Sequence, residues 1–89
     1  MARYEMRSSG VVDAPAQGNP TDSIFQLGLM YCAGRDVELD LVQAHKWFNI
    51  AALRGNPEAK RYRSEIAGEM TKSEVARAQR LAREWLSRH

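Results

Sequence analysis

Eighty-nine residues with a hydrophobic share of 44% amount to one small domain with a modest core, below the usual domain size of about 100–150 residues. The formal net charge of +2 is unevenly spread: four Lys or Arg face six Asp or Glu from Met1 to Leu53, and nine face five from Arg54 to His89. One cysteine, Cys32, excludes an intramolecular disulfide, and no stretch approaches the roughly 18 consecutive apolar residues that span a bilayer.

Residues 1–20 are rich in Ser, Gly, Pro and Gln, lack a helical stripe, and hold Val11-Val12 as their one apolar pair of note. They read as an irregular arm preceding a domain that starts near Thr21 or Asp22. The basic residues at the start are not followed by an apolar run of signal-peptide length, so the chain is expected to be soluble and cytoplasmic. The tripeptide Gly-Asn-Pro closes this arm at Gly18-Asn19-Pro20 and returns at Gly55-Asn56-Pro57, thirty-seven residues later. A repeat of that period is the mark of stacked helical units.

The first helix is expected from about Asp22 to Ala33, capped by Thr21 or Asp22 and stopped by Gly34. Ile24, Leu27, Gly28 and Tyr31 share a face. A glycine inside a helix costs about 1 kcal/mol against alanine, so Gly28 implies a neighbouring helix that comes close. Residues 34–40 read as a loop ending in the cap Asp40. The second helix follows from about Leu41 to Arg54 and ends at Gly55. Its stripe of Leu41, Ala44, Trp47, Phe48, Ala51 and Ala52 alternates large with small. That pattern suits interdigitation with the first helix, Ala44 and Ala51 admitting Tyr31 and Leu27. His45 falls on the exposed side of this helix.

Pro57 occupies the first position of a third helix, with Glu58 near the positive end of its dipole. Ala59, Tyr62, Ile66 and Met70 form its stripe, and Gly68 weakens its last turn. Thr71-Lys72-Ser73-Glu74 is a capping box for a fourth helix, whose apolar face is Val75, Ala78, Leu81, Ala82 and Trp85. Four helices, short connections and no strand pattern predict an all-α domain of two stacked antiparallel hairpins.

The first hairpin resembles the Sel-one-like repeat family, relatives of the tetratricopeptide repeats. The resemblance rests on Leu27-Gly28-Leu29-Met30-Tyr31, Gly34, Asp40, Ala44-His45-Lys46-Trp47-Phe48, Ala51-Ala52 and Gly55. It covers one full unit, about residues 22–56. Residues 57–89 look like a degenerate terminal unit: Tyr62 stands where Phe25 stood and Ile66 where Leu29 stood, but no Leu-Gly-x-x-Tyr string recurs. Its outer face can be polar because nothing stacks on it, and Arg77, Arg80, Arg83 and Arg88 supply that surface. The resemblance implies an α/α solenoid that serves as a scaffold or adaptor, and the family's wide occurrence in bacteria implies a bacterial setting.

The resemblance further implies a concave groove lined by the first and third helices, presented to a protein or peptide partner. Residues pointing away from the stripes, Gln26, Met30, Lys60 and Arg63, are the candidate contacts. Stacked repeats need about three units for stability, so either the fourth helix closes the small core or two chains pair into a homo-oligomer. Trp85 and Leu86, or the Val11-Val12 segment, could make such a contact, with Trp85 as a core residue the simpler reading. Nothing in the sequence composes a catalytic site: neither His45 nor His89 belongs to a Cys-His or Ser-His-Asp arrangement. A zinc centre takes about four Cys, His or carboxylate ligands. Asp36, Glu38 and Asp40 alternate as in a calcium loop but lack its length, central glycine and terminal glutamate. No cofactor-binding motif is present, phosphate-cradling glycine loops included. The alternative function is nucleic-acid binding through the basic residues Lys60, Arg61, Arg63, Arg77, Arg80 and Arg83, diluted by Glu58, Glu65, Glu69, Glu74 and Glu84.

Overall fold

The computed structural model describes residues 20–89, which form four helices: α1 (Pro20–Ala33), α2 (Leu41–Leu53), α3 (Pro57–Ala67) and α4 (Lys72–Arg88). The arm expected over residues 1–20, with its Val11-Val12 pair, lies outside the described residues apart from Pro20. The expected all-α class is observed, and no strand occurs among the described residues.

The punctuation of the chain follows local chemistry. α1 starts two residues earlier than expected, at Pro20, as α3 starts at Pro57. Proline is welcome at a first helical position because its fixed φ is helical and its missing N–H would have no partner there. Thr21 and Asp22 therefore fall within the first turn of α1 rather than ahead of it. Asp40 caps α2, its Oδ1 accepting from the backbone N–H groups of Val42 and Gln43, both at 3.1 Å. Asn56 caps α3 by accepting from Ala59 N–H at 3.0 Å. The capping box of α4 is complete: Thr71 Oγ1 accepts from Glu74 N–H at 3.1 Å, and Thr71 N–H donates to Glu74 Oε1 at 2.8 Å. Gly34 and Gly55 end α1 and α2 at φ +70 and +101, a region side chains rarely adopt.

α2 is the centre of the domain, with α1, α3 and α4 each packed on it. This explains its burial pattern. Ala44, Phe48 and Ala51 are inaccessible, as their stripe implies, but so is Ile50, and Val42 and His45 are buried too. The expectation of an exposed His45 is thus corrected: its residue is 2% exposed. A helix with three neighbours has no single polar face to spare. The stripes of the outer helices match their sequence patterns. Ala59, Tyr62 and Ile66 of α3 are buried with Met70 packed alongside, and Ala78 and Ala82 of α4 are fully buried with Trp85 half-buried on the core.

The α1 face keeps the expected Ile24, Gly28 and Tyr31 but is wider than expected. Ile24, Phe25, Leu29, Tyr31 and Cys32 pack on the core, while Leu27 is half-buried and outside that cluster. The close approach that Gly28 signals is with Phe48 of the α2 stripe: a Cβ placed on Gly28 would lie 2.5 Å from Phe48 Cε1. Phe25 has a visible reason to face inward. Phe25 reaches α3, its ring centroid 5.6 Å from that of Tyr62 and 5.7 Å from that of Phe48, and Tyr62 stacks on Phe48 at 5.5 Å. Three aromatic rings from three helices thereby share one contact, a favourable geometry for tilted and offset pairs. Trp47, expected against α1, instead meets Trp85 of α4 edge-on at 5.6 Å.

Candidate functional site

The sequence-derived contacts Gln26, Met30, Lys60 and Arg63 sit on the two helices joined by the Phe25–Tyr62 contact. Gln26 and Met30 of α1 are half-buried, and Lys60 of α3 is exposed. Arg63 is half-buried and its Nη1 donates to Asn49 Oδ1 of α2 at 2.6 Å. Its guanidinium is therefore held back against α2, a role that helical spacing alone does not suggest. Arg63 stands four residues after buried Ala59 and directly after buried Tyr62, so it lies at the border of the α3 stripe.

The charge of Arg63 also reaches His45 of α2. Burial pushes the His45 imidazole below its ordinary value of 6.5, and the positive charge of Arg63 pushes it in the same direction. The ring is therefore held neutral near pH 7. His45 packs as a neutral core residue of α2, near enough to Arg63 of α3 for that charge to act on it. Among the described residues, no group of three or more His, Cys, Asp and Glu could hold a metal ion. No helix among them is long and apolar enough to cross a membrane.

A second concentration of chemistry lies between α2 and α4, and sequence reasoning passes over it. Trp47 and Trp85 meet edge-on, the Lys46 ammonium lies 4.1 Å from the centre of the Trp47 ring, and the Arg54 guanidinium lies 5.4 Å from that of Trp85. His89 stacks on Trp85 with centroids 4.1 Å apart and planes 10° apart, its Nδ1 2.9 Å from the Trp85 carbonyl oxygen. The signal is present in the sequence as a Lys-Trp pair on one helix and a Trp-x-x-Arg-His string on another. Their meeting depends on how α4 docks, which no local pattern encodes.

Antiparallel helices with aromatic and small residues interleaved, each of the first two closed by a positive-φ glycine, define a helical-repeat protein of the tetratricopeptide-like kind. Comparison with family models finds a match to the Sel1 repeat over residues 21–56, a segment that spans α1 from its second residue and all of α2. No curated protein and no solved structure matches the chain.

Proposed function

We propose that this chain is a non-catalytic interaction module that binds a peptide or protein partner along a groove between α1 and α3, with Gln26, Met30, Lys60 and Arg63 as contacts. The observation that carries this reading is the Sel1 repeat at residues 21–56. Sel1 repeats generally mediate contacts between proteins and are generally helical modules without catalysis. The physical logic is that each hairpin hides one face against its neighbour and leaves its inner helix free to line a concave surface. Methionine and glutamine side chains are flexible enough to fit varied peptides. Arg63 joins such a contact by exchanging its bond to Asn49 for one to the partner.

In this reading residues 57–89 are a degenerate terminal repeat that closes the stack, residues 1–20 an arm ahead of it, and the setting is cytoplasmic. Pairing of two chains would lengthen a stack that is otherwise shorter than the roughly three units such folds need. The test is a pull-down from native lysate with the unaltered chain and with Gln26, Met30, Lys60 and Arg63 changed together to alanine. Loss of the captured partner is expected, and unchanged capture would discard the groove.

Nucleic-acid binding is the second reading, favoured by the exposed Lys60, Arg61, Arg77, Arg80 and Arg83. A gel shift with random RNA and DNA separates the two, since failure to bind at about 50 mM salt removes the electrostatic case.

A further inference from the structure

The face between α2 and α4 gathers positive charge on an aromatic floor. Lys46 and Arg54 lie over Trp47 and Trp85, and Arg88 stands near enough for its charge to act on Lys46. Arg54, Arg88 and His89 are exposed and Lys46 is half-buried. Among the described residues the ion pair is Arg61 with Glu58 on α3, at 3.1 Å, and no carboxylate lies within 4.0 Å of Lys46, Arg54 or Arg88. Burial, and then the like charge of Arg88, lower the affinity of the Lys46 amine for its proton. Like charges crowded beside a low-dielectric surface without a counter-ion repel, and an incoming anion relieves that repulsion.

We propose that Lys46, Arg54 and Arg88, set on the Trp47–Trp85 floor, form a docking site for an acidic peptide segment of a protein partner. Carboxylates are the matching chemistry because each can take a charge-assisted hydrogen bond from an ammonium or a guanidinium. A nucleic-acid strand fits less well. Its bases bind by stacking on open aromatic faces, whereas Lys46 lies over Trp47, and His89 and Arg54 lie over Trp85. The site uses α2 and α4, not the helices that carry Gln26, Met30, Lys60 and Arg63, so it stands or falls separately from the groove.

Trp47 and Trp85 are the two tryptophans of the chain, so intrinsic fluorescence reports directly on this face. The full chain is titrated at low salt with a hexaglutamate peptide, with hexalysine and with an oligothymidylate of similar length. A saturable change of emission with hexaglutamate is expected, and none with hexalysine. The dissociation constant should rise about tenfold or more, a loss comparable to one good charged contact, in K46Q/R88Q. It should stay unchanged in R77Q/R80Q, which removes two exposed cations elsewhere on α4. Circular dichroism verifies that each variant is folded, and R54Q replaces the double variant if that one is not. Absence of a hexaglutamate response, equal weakening in R77Q/R80Q, or tighter binding of oligothymidylate would overturn the proposal.

Discussion

Gly28 of α1 lies flat against the ring of Phe48 of α2, so close that a single added carbon would sit 2.5 Å from Phe48 Cε1 and 2.6 Å from Cδ1. The ring cannot retreat, because it is fully buried and held by Phe25 and Tyr62. Alanine at a mid-helix glycine normally gains about 1 kcal/mol. Here overpacking costs about 1–3 kcal/mol and outweighs that gain. Gly28→Ala should therefore lower the melting temperature, and Gly28→Leu should lower it further. Gly68→Ala is the control, since Gly68 has helical backbone angles and its added carbon would meet only Glu65 O at 3.4 Å. It should raise stability by about 0.4–1 kcal/mol. If Gly28→Ala melts no lower than the unaltered chain, Phe48 is not pressed against this glycine.

The buried His45 gives a pH dependence with a defined sign. Its folded-state pKa lies below the ordinary 6.5, through burial first and the Arg63 charge second. As pH falls through 6.5 the unfolded chain takes up this proton before the folded one does. Stability is therefore lost as pH falls below that value, until the folded pKa is reached, and is fully present above it. Thermal melts between about pH 7.5 and pH 5 should show a steeper loss for the unaltered chain than for His45→Gln. Parallel slopes would mean that the imidazole protonates alike in both states.

Removal of one cap tests the start of α4. Thr71→Ala deletes the acceptor for Glu74 N–H and should cost about 1 kcal/mol, within the usual span of about 0.5–2. Chemical denaturation should show a lower midpoint with an unchanged slope. No change would indicate that α4 is held by Trp85, Ala78 and Ala82 alone.

The Trp47–Trp85 pair should be coupled. A double-mutant cycle with Trp47→Leu and Trp85→Leu is expected to give an interaction energy of about 0.5–1.5 kcal/mol, as for other edge-to-face aromatic pairs. Additive losses would show that the two indoles merely share the same region.

Much of this fold can be read from the sequence because its boundaries are local chemistry. Asp40, Thr71 with Glu74, Pro57, Gly34 and Gly55 act within a few residues of themselves, and each does what its type and position imply. The Ala59–Tyr62–Ile66 and Ala78–Ala82 stripes are equally plain, since α3 and α4 each keep a solvated side. α2 is harder. An amphipathic pattern presumes one buried face, and a helix packed on three sides hides residues such as His45 and Ile50 that the pattern leaves out. The full width of the α1 face escapes the sequence for a related reason: Phe25 and Leu29 stand beside the expected Ile24, Gly28 and Tyr31 on the helix. The ring that Phe25 meets there, Tyr62, comes from a different unit. Of the candidate contacts, Lys60 is legible as an outward residue, whereas the bond from Arg63 to Asn49 spans two helices and has no sequence signature.

The position of α2 also bears on how the molecule comes apart. In long solenoids the ends can fray while the middle persists, because each unit leans only on the next. Here α1, α3 and α4 all lean on one spine, so detaching any of them strips α2 of part of its cover, and heating should produce a single sharp transition seen alike by far-ultraviolet dichroism and by tryptophan emission.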